Sequence, residues 1–400
     1  MAVSHHNASS STTTYEDEGQ HLLSDDPASC LRGYQHSIRP TVFPRSTTFP
    51  CTTRMSNTTI SSTAWLTAAK TRPLEVNPAP MWKAAANDIL VRNRAVAVNP
   101  IDHSLQSSAV FPLNYPSILG HDLAGEVVEV GSSVTCFRPG DRVLGQAVGI
   151  STKNKAENAF QHFTILQEHM ASPIPSSISY DSAAVMPLGL STAACGLFQN
   201  TLFLHLDYPT SPARAPNGET ILIWGGFSSV GSNAIQLAIA AGYEVFATAS
   251  PRNFGYVRAL GASQVFDYSR PSITSDLVES LRGKRLAGIL DCIGGEANAI
   301  YIEVMHKVAG KGAIATTKSP SIRAEAGPEG VTVQRIFGTT LKDNAVGWVV
   351  YVDFLPKALE QGDFVPSPTP FIMGEGLEKV QDAIDVMGEG LSARKAVVKL

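Results

Sequence analysis

The sequence predicts an α/β protein in which a β-rich domain precedes a doubly wound parallel sheet. Three observations carry that expectation. The stretch Thr220 to Ala241, TILIWGGFSSVGSNAIQLAIAA, reads as a buried strand, a glycine turn and a helix. After it, strand and helix patterns alternate, which means crossover connections and hence parallel strands. Before it lie β-patterned segments separated by turn signals.

In chain order, residues 1–62 are rich in Ser, Thr and Asn and nearly lack hydrophobic periodicity, so a disordered tail is expected. They lack the apolar core of a secretory signal. Glu16, Asp17, Glu18, Asp25 and Asp26 argue against an acid-poor mitochondrial presequence. Met55 stands immediately before the foldable region, and the residues ahead of it read as an extension or as lying upstream of the true start.

The β-rich domain is expected over residues 63–187. AWLTAAK, DILVRNRAVAVNP, HDLAGEVVEVG and FQHFTILQ read as strands. Gly125 and Gly131 bracket an alternating, half-exposed run, and Pro139-Gly140 bends the chain before the strand in FRPGDRVLG. Asn99-Pro100 by itself reads as a β-turn. In SYDSAAVMPLGLSTAACGLFQ the pattern turns helical. Asp181 is the expected cap of a helix ending near Met186-Pro187, and Ser191 or Thr192 the cap of the next.

The parallel-sheet domain is expected over residues 188–339. Tyr208 to Gly218, with three prolines, is a surface loop. Ile221 to Trp224 show no polar alternation, as befits a strand buried on both faces. Gly225 and Gly226 end it where the backbone needs positive φ or a bare surface. Ile235, Leu237, Ala238 and Ile239 turn the following helix toward the sheet. Gly242 stops that helix, and Tyr243 to Ala249 supply a second strand. Unpaired amides and the positive end of the helix dipole then converge after the first strand, an anion site. Gly226-x-Ser228-x-x-Gly231 departs from the full glycine fingerprint at its middle position. It nevertheless sits in a βαβ unit of about 30 residues, the size dinucleotide binding uses.

Further on, Arg252–Leu260, Ile273–Leu281 and Glu296–Val308 read as helices, and QVFDY, AGILDCIG and GAIATT as strands. Residues 340–400 hold helices around Gly347–Leu359 and Leu377–Met387 and a final strand, KAVVKL.

Bulk properties narrow the function classes. Net charge is only −4, so neither nucleic acid nor an anionic membrane is an implied partner. The apolar runs read as too short to span a bilayer, which predicts a soluble protein. Cys30, Cys51, Cys136, Cys195 and Cys292 contain no C-x-x-C pair, so neither a disulfide framework nor a zinc knuckle is indicated. A reducing, cytoplasmic setting is the simpler expectation, with Cys195 and Cys292 as small core residues.

The combination of NPID, GHDLAGEVVEVG and GGFSSVG resembles the medium-chain dehydrogenase/reductase superfamily over roughly Ala64 to Leu400. WGGFSSVGSNAIQLAIAAGYEV, TASPRNF, LGASQVFDY and PLGLSTAACGLFQ are similar to the fungal zinc-independent dehydrogenases. That group includes stand-alone enoyl reductases that assist polyketide synthases. The resemblance implies a GroES-like domain completed by residues 340–400, a Rossmann domain, and an active site in the cleft between them.

In the zinc-dependent branch, a cysteine of C-x-x-D, a histidine of GHE and a cysteine before G-x-S-T hold the metal. Here Asn99 and Leu188 fall at the two cysteine positions, and only His121 remains, beside Asp122. One imidazole cannot hold a catalytic zinc, so no metal is expected. His121 reads first as a hydrogen-bonded residue near the domain seam. Without a Lewis acid an unactivated alcohol is a poor substrate, whereas a conjugated enoyl or enone group accepts hydride at carbon.

No acid stands at the end of the second strand, where an NAD site places one; Ser250, Pro251, Arg252 and Asn253 stand there instead. Hydroxyl, guanidinium and amide donors suit a 2′-phosphate, so NADPH is the expected cofactor. The resemblance adds Tyr268 to that end. It implies Phe227, Ser228, Ser229 and Val230 along the pyrophosphate, within the Gly226–Gly231 turn. It places Asn99, Pro100, Ile101, Asp102, Thr192, Ile293 and Gly294 along the nicotinamide. No residue declares itself a general acid; water and His103 are the candidate proton sources.

The leading expectation is an NADPH-dependent reductase of an activated C=C of polyketide type, with a small-molecule substrate that a polyketide synthase presents. Quinone reduction, or dehydrogenation of a ketone or alcohol, is the enzymatic alternative. A non-catalytic NADPH-binding protein is the alternative of another class.

Overall fold

Three sheets organise the chain, as a computed structural model describes it over residues 61–200, 203–318 and 329–400. The tail expected over residues 1–62 falls almost wholly outside the described residues.

The parallel sheet is built from β9 (Glu219–Trp224), β10 (Glu244–Ala249), β11 (Gln264–Asp267), β12 (Arg285–Asp291), β13 (Gly312–Thr316) and β14 (Val331–Arg335). Their spatial order is β11-β10-β9-β12-β13-β14, every neighbouring pair being parallel. The chain therefore winds outward from β9 in one direction, returns, and winds outward from β12 in the other. Ligand crevices in such sheets open beyond the carboxyl ends of the two strands where the order reverses, here β9 and β12. Ile221 to Trp224 are buried, as their unbroken apolar run requires.

The remaining strands before the parallel sheet are β1 (Ser62–Leu66), β2 (Glu75–Pro78), β3 (Asp88–Ala97), β4 (Ser117–Ile118), β5 (Asp122–Val130), β6 (Arg142–Gln146), β7 (Phe163–Gln167) and β8 (Ala171–Pro173). At the end of the chain come β15 (Thr369–Glu375) and β16 (Arg394–Lys399). β16 lies antiparallel to β3 with Val397 opposite Ala97, and Ala97 in turn faces Asp122 on β5. The last strand thus belongs to the β-rich part and brings Lys395 to the point where β3 ends and β5 begins. β2, β4, β8, β14 and β15 were not foreseen; each is short or, as in β15, interrupted by Pro and Gly.

The helix Pro187–Phe198 joins the two parts, and apart from Leu188 its residues are buried. Tyr180–Phe198 has the length and apolarity of a spanning helix, contrary to the expectation from run lengths. However, 83% of that stretch is buried inside the fold, the behaviour of a core helix.

Several caps differ from expectation. Ser179, not Asp181, caps the short helix Tyr180–Ala183, its hydroxyl accepting the Ser182 amide at 3.2 Å. Ser191 and Thr192 lie inside Pro187–Phe198 rather than at its start, because Pro187 fits the first turn, where no amide partner is needed. Thr192 instead returns its hydroxyl to Leu188 O at 2.7 Å. The helix expected around Gly347–Leu359 contains a π-helical stretch, Trp348–Phe354. There the buried Tyr351 hydroxyl meets Ser191 Oγ at 2.7 Å and donates to Pro187 O at 2.9 Å.

Candidate functional site in the interdomain cleft

The turn after β9 forms as its residues dictate. Gly225 adopts φ +87°, and a Cβ there would stand 2.4 Å from Ile293 Cγ1, so the loops after β9 and β12 touch. Gly226 packs bare against Ala247 and Ile235, and its amide donates to Thr248 O at 2.9 Å. Ser228 caps the helix Ser229–Ala240, its Oγ accepting the Gly231 amide at 3.0 Å. A Cβ on Gly231 would lie 2.3 Å from Gly225 O. Helix and strand therefore approach more closely here than any other residue permits. Phe227, Ser228, Ser229 and Val230 remain half-buried around the helix N-terminus, where first-turn amides lack intrahelical partners. Phe227 stacks on Tyr268 with ring centroids 6.3 Å apart.

Ser250 and Pro251 leave β10 beside this turn. Asn253 is buried and donates to Ser250 Oγ and to Ser392 Oγ, both at 3.1 Å. Ser392, which the sequence did not single out, comes from the segment just before β16, so the C-terminal part of the chain reaches this end of the crevice. Arg252 stays exposed, with its side chain in none of these bonds.

On the opposite side, Asn99 is not in a free β-turn. It is the N-cap of a helix, Pro100–Ser108, absent from the sequence reading although Asn-Pro-x-Asp is a helix-start pattern. The Asn99 amide donates to Asp102 Oδ2 at 2.8 Å, and Asp102 Oδ1 meets His121 Nδ1 at 2.9 Å. Pro100 is exposed and Ile101 half-buried on that helix. The His103 ring lies over Gly388 of the helix Lys379–Glu389.

The Asn99 side chain is held by two groups that the sequence reading missed. Its Nδ2 donates to Asp122 Oδ2 at 2.9 Å, and its Oδ1 accepts from Lys395 Nζ at 2.9 Å. Lys395 also pairs directly with Asp122. Asp122 Oδ1 accepts the Leu188 amide at 2.6 Å, which ties this cluster to the first turn of the helix carrying Thr192. Asn99, Asp102, His121, Asp122 and Lys395 are all at most 4% exposed. Burial works most strongly to lower the His121 pKa, but the Asp102 charge and hydrogen bond, helped by Asp122 and opposed by Lys395, raise it overall. Lys395 gave no advance signal, because its strand also holds the cations Arg394 and Lys399.

After β12, Gly294 has φ +72° and carries the Lys318 side chain above it. Ile293 and Gly294 donate their amides to Asp291 Oδ1 at 3.0 and 2.9 Å. Cys292 and Cys195 are both buried thiols. Burial pushes Cys195 up to about 12, against weaker pulls from Thr340 and Leu341, as a core residue requires.

The chain matches two family models in tandem, an alcohol dehydrogenase GroES-like domain over residues 85–176 and a zinc-binding dehydrogenase over residues 229–340. It is 52% identical to the zinc-binding alcohol dehydrogenase domain-containing protein cipB of Emericella nidulans, covering 85% of this chain and 98% of that protein. It is 39% identical to the trans-enoyl reductase himH of Aspergillus japonicus, with the same two coverages. Among solved structures, an alcohol dehydrogenase superfamily protein from Novosphingobium aromaticivorans superposes with a TM-score of 0.69 at 25% identity. That match covers 85% of this chain and 99% of the other.

Proposed function

Because the chain belongs to the medium-chain dehydrogenase/reductase superfamily, an oxidoreductase family with nicotinamide cofactors, we propose that it is an NADPH-dependent reductase of activated C=C bonds that works without zinc. The observation that carries this reading is the buried Lys395 ammonium between Asn99 and Asp122. In the zinc branch, the positions of Asn99, His121 and Leu188 supply the metal ligands. Here they offer a carboxamide already bonded on both ends, an imidazole whose Nδ1 is held by Asp102, and an aliphatic side chain. A fixed cation beside them repels a second one. This set does not fit Zn²⁺, which needs thiolate or imidazole donors at tetrahedral geometry.

The residues of the crevice fit NADPH. The bare Gly225-Gly226 turn and the amides of Ser229 and Val230 suit a pyrophosphate. Ser250 and Arg252 suit a 2′-phosphate, and Tyr268 with Phe227 offers an aromatic flank near it. Asn99 to Asp102, Thr192, Ile293 and Gly294 would flank the nicotinamide. The bound cofactor supplies hydride; the protein orients it, excludes water and presents hydrogen-bond donors to the oxygen that gains charge. An acceptor polarised by its own conjugated carbonyl needs no metal. The trans-enoyl reductase name of the himH relative supports such a substrate, of the kind a polyketide synthase carries.

The test is the purified chain with NADPH or NADH and a panel comprising an enoyl thioester, an enone, a quinone, a ketone and an alcohol. The last three are included because the 47% identical pigH of Monascus ruber is named a dehydrogenase. NADPH consumption with the enoyl thioester, unchanged by chelator, is the expected result. Failure on every acceptor, or a stoichiometric zinc ion required for turnover, sinks the reading.

A further inference from the structure

Asp291 ends β12, is fully buried, and takes no part in the chemistry outlined so far. Its Oδ1 accepts the amides of Ile293 and Gly294, its Oδ2 accepts the hydroxyl of Thr316 at 2.6 Å, and the Tyr301 hydroxyl, 2.9 Å from Oδ2, is shared with Asn298 Oδ1. Two backbone amides and a hydroxyl donating onto its two oxygens is the pattern of an ionised carboxylate, which can only accept. Asp102 and Asp122 each have a cationic or protonatable partner, but among the described residues no lysine, arginine or histidine pairs with Asp291. Its field is felt nearby: after burial, the Asp291 charge is the next cause that holds the Cys292 thiol up.

The same bonds set the loop. In a planar trans peptide the carbonyl points opposite to the N–H. Amides drawn down onto Asp291 therefore turn the Cys292 and Ile293 carbonyls away from it, presenting their negative ends on the far side of the loop. A buried charge, unscreened by water, acts through such a loop over several ångströms.

We propose that Asp291 is a positioning residue that also sets hydride-donor strength, its charge favouring the cationic oxidised nicotinamide over the neutral reduced one. This rests on the reading proposed above, in which Ile293 and Gly294 would lie beside the nicotinamide. Hydride transfer moves one proton and two electrons from the reduced ring to the acceptor carbon. The ring is left with a positive charge, and the acceptor gains a negative one that a later proton neutralises. A carboxylate behind the loop lowers the free energy of that positive ring. It thereby makes reduction of the acceptor more favourable.

The experiment is equilibrium binding of NADPH and of NADP⁺ to the full chain, its Asp291→Asn variant and its Asp291→Glu variant. The Thr316 and Tyr301 hydroxyls can turn to accept from the carboxamide that Asp291→Asn introduces, so the isosteric variant keeps its hydrogen bonds. Asp291→Asn should weaken NADP⁺ about tenfold more than NADPH, the scale of one buried charge at short range. Asp291→Glu should keep the ratio of the native chain. Equal weakening of both forms by Asp291→Asn overturns the proposal and leaves the reductase reading intact. Failure of the native chain to bind either form overturns both. If Asp291→Asn does not accumulate as folded protein, the smaller neutral Asp291→Ser is read by the same two outcomes.

Discussion

The Lys395 ammonium, on the last strand, pairs with the Asp122 carboxylate at the start of β5, and the two side chains are 2% and 0% exposed. A chain end usually frays, yet here it supplies the cation for a carboxylate that also holds Asn99 and the first turn of Pro187–Phe198. Removing one partner of such a pair strands a charge in the interior. Lys395→Met should therefore lower unfolding free energy by about 3–5 kcal/mol in denaturant titration. The double variant Lys395→Met/Asp122→Asn should recover most of that loss, because neither charge is then left alone. If the single and double variants are equally destabilised, the pair is not the source of the stability.

His121 gives this cluster a pH dependence. Its pKa is raised above the usual 6.5, the Asp102 and Asp122 carboxylates together outweighing burial, the largest single cause, and the opposing Lys395. A group whose pKa is higher folded than unfolded stabilises fully below the unfolded value. That stabilisation drains away as pH climbs through the folded value. Urea midpoints of the native chain should accordingly fall as pH rises above about 6.5. His121→Gln should flatten that part of the profile. A slope that survives the substitution assigns the titration to another group.

Much of this was legible in advance for a physical reason. Ile221 to Trp224 and Gly225 each carry a local signal, namely a strand buried on both faces and a positive φ, and local signals survive folding. Asp122 and Lys395 carry none. They lie 273 positions apart and meet only because β16 pairs back onto β3 (395 − 122 = 273). The helix Pro100–Ser108 was hidden for a different reason. Asn-Pro reads equally as a turn, and the choice was settled by Asp102 closing back onto the Asn99 amide while burying itself against His121. Thr192 looked like a cap until Pro187, five positions earlier, took the start of the helix (192 − 187 = 5).

Gly231 offers a test of the crevice that does not depend on substrate. A methyl group there would stand 2.3 Å from Gly225 O and 2.8 Å from Gly226 Cα, backbone atoms that cannot swing aside. Gly231→Ala should destabilise the chain by about 1–3 kcal/mol, the usual cost of overpacking. It should also displace the glycine turn and weaken NADPH binding, measured by calorimetry. Gly255→Ala, where a Cβ meets nothing within 4 Å, is the control expected to leave both quantities unchanged.

The choice between the two nicotinamide cofactors turns on charge at the end of β10. Arg252 is exposed there with its guanidinium outside the hydrogen bonds that occupy Asn253, so it can swing onto a phosphate without breaking those bonds. A charge-assisted hydrogen bond contributes about 1.5–3 kcal/mol. Arg252→Ala should therefore raise the NADPH dissociation constant by roughly ten- to a hundredfold and leave NADH nearly unaffected. Ser250→Asp should go further and reverse the preference, since a carboxylate repels the 2′-phosphate and accepts from a ribose hydroxyl. Binding isotherms of both cofactors to the native chain and these two variants settle the matter. A native chain that prefers NADH, or an Arg252→Ala variant that loses both cofactors equally, removes the assignment of this end of the crevice to a 2′-phosphate.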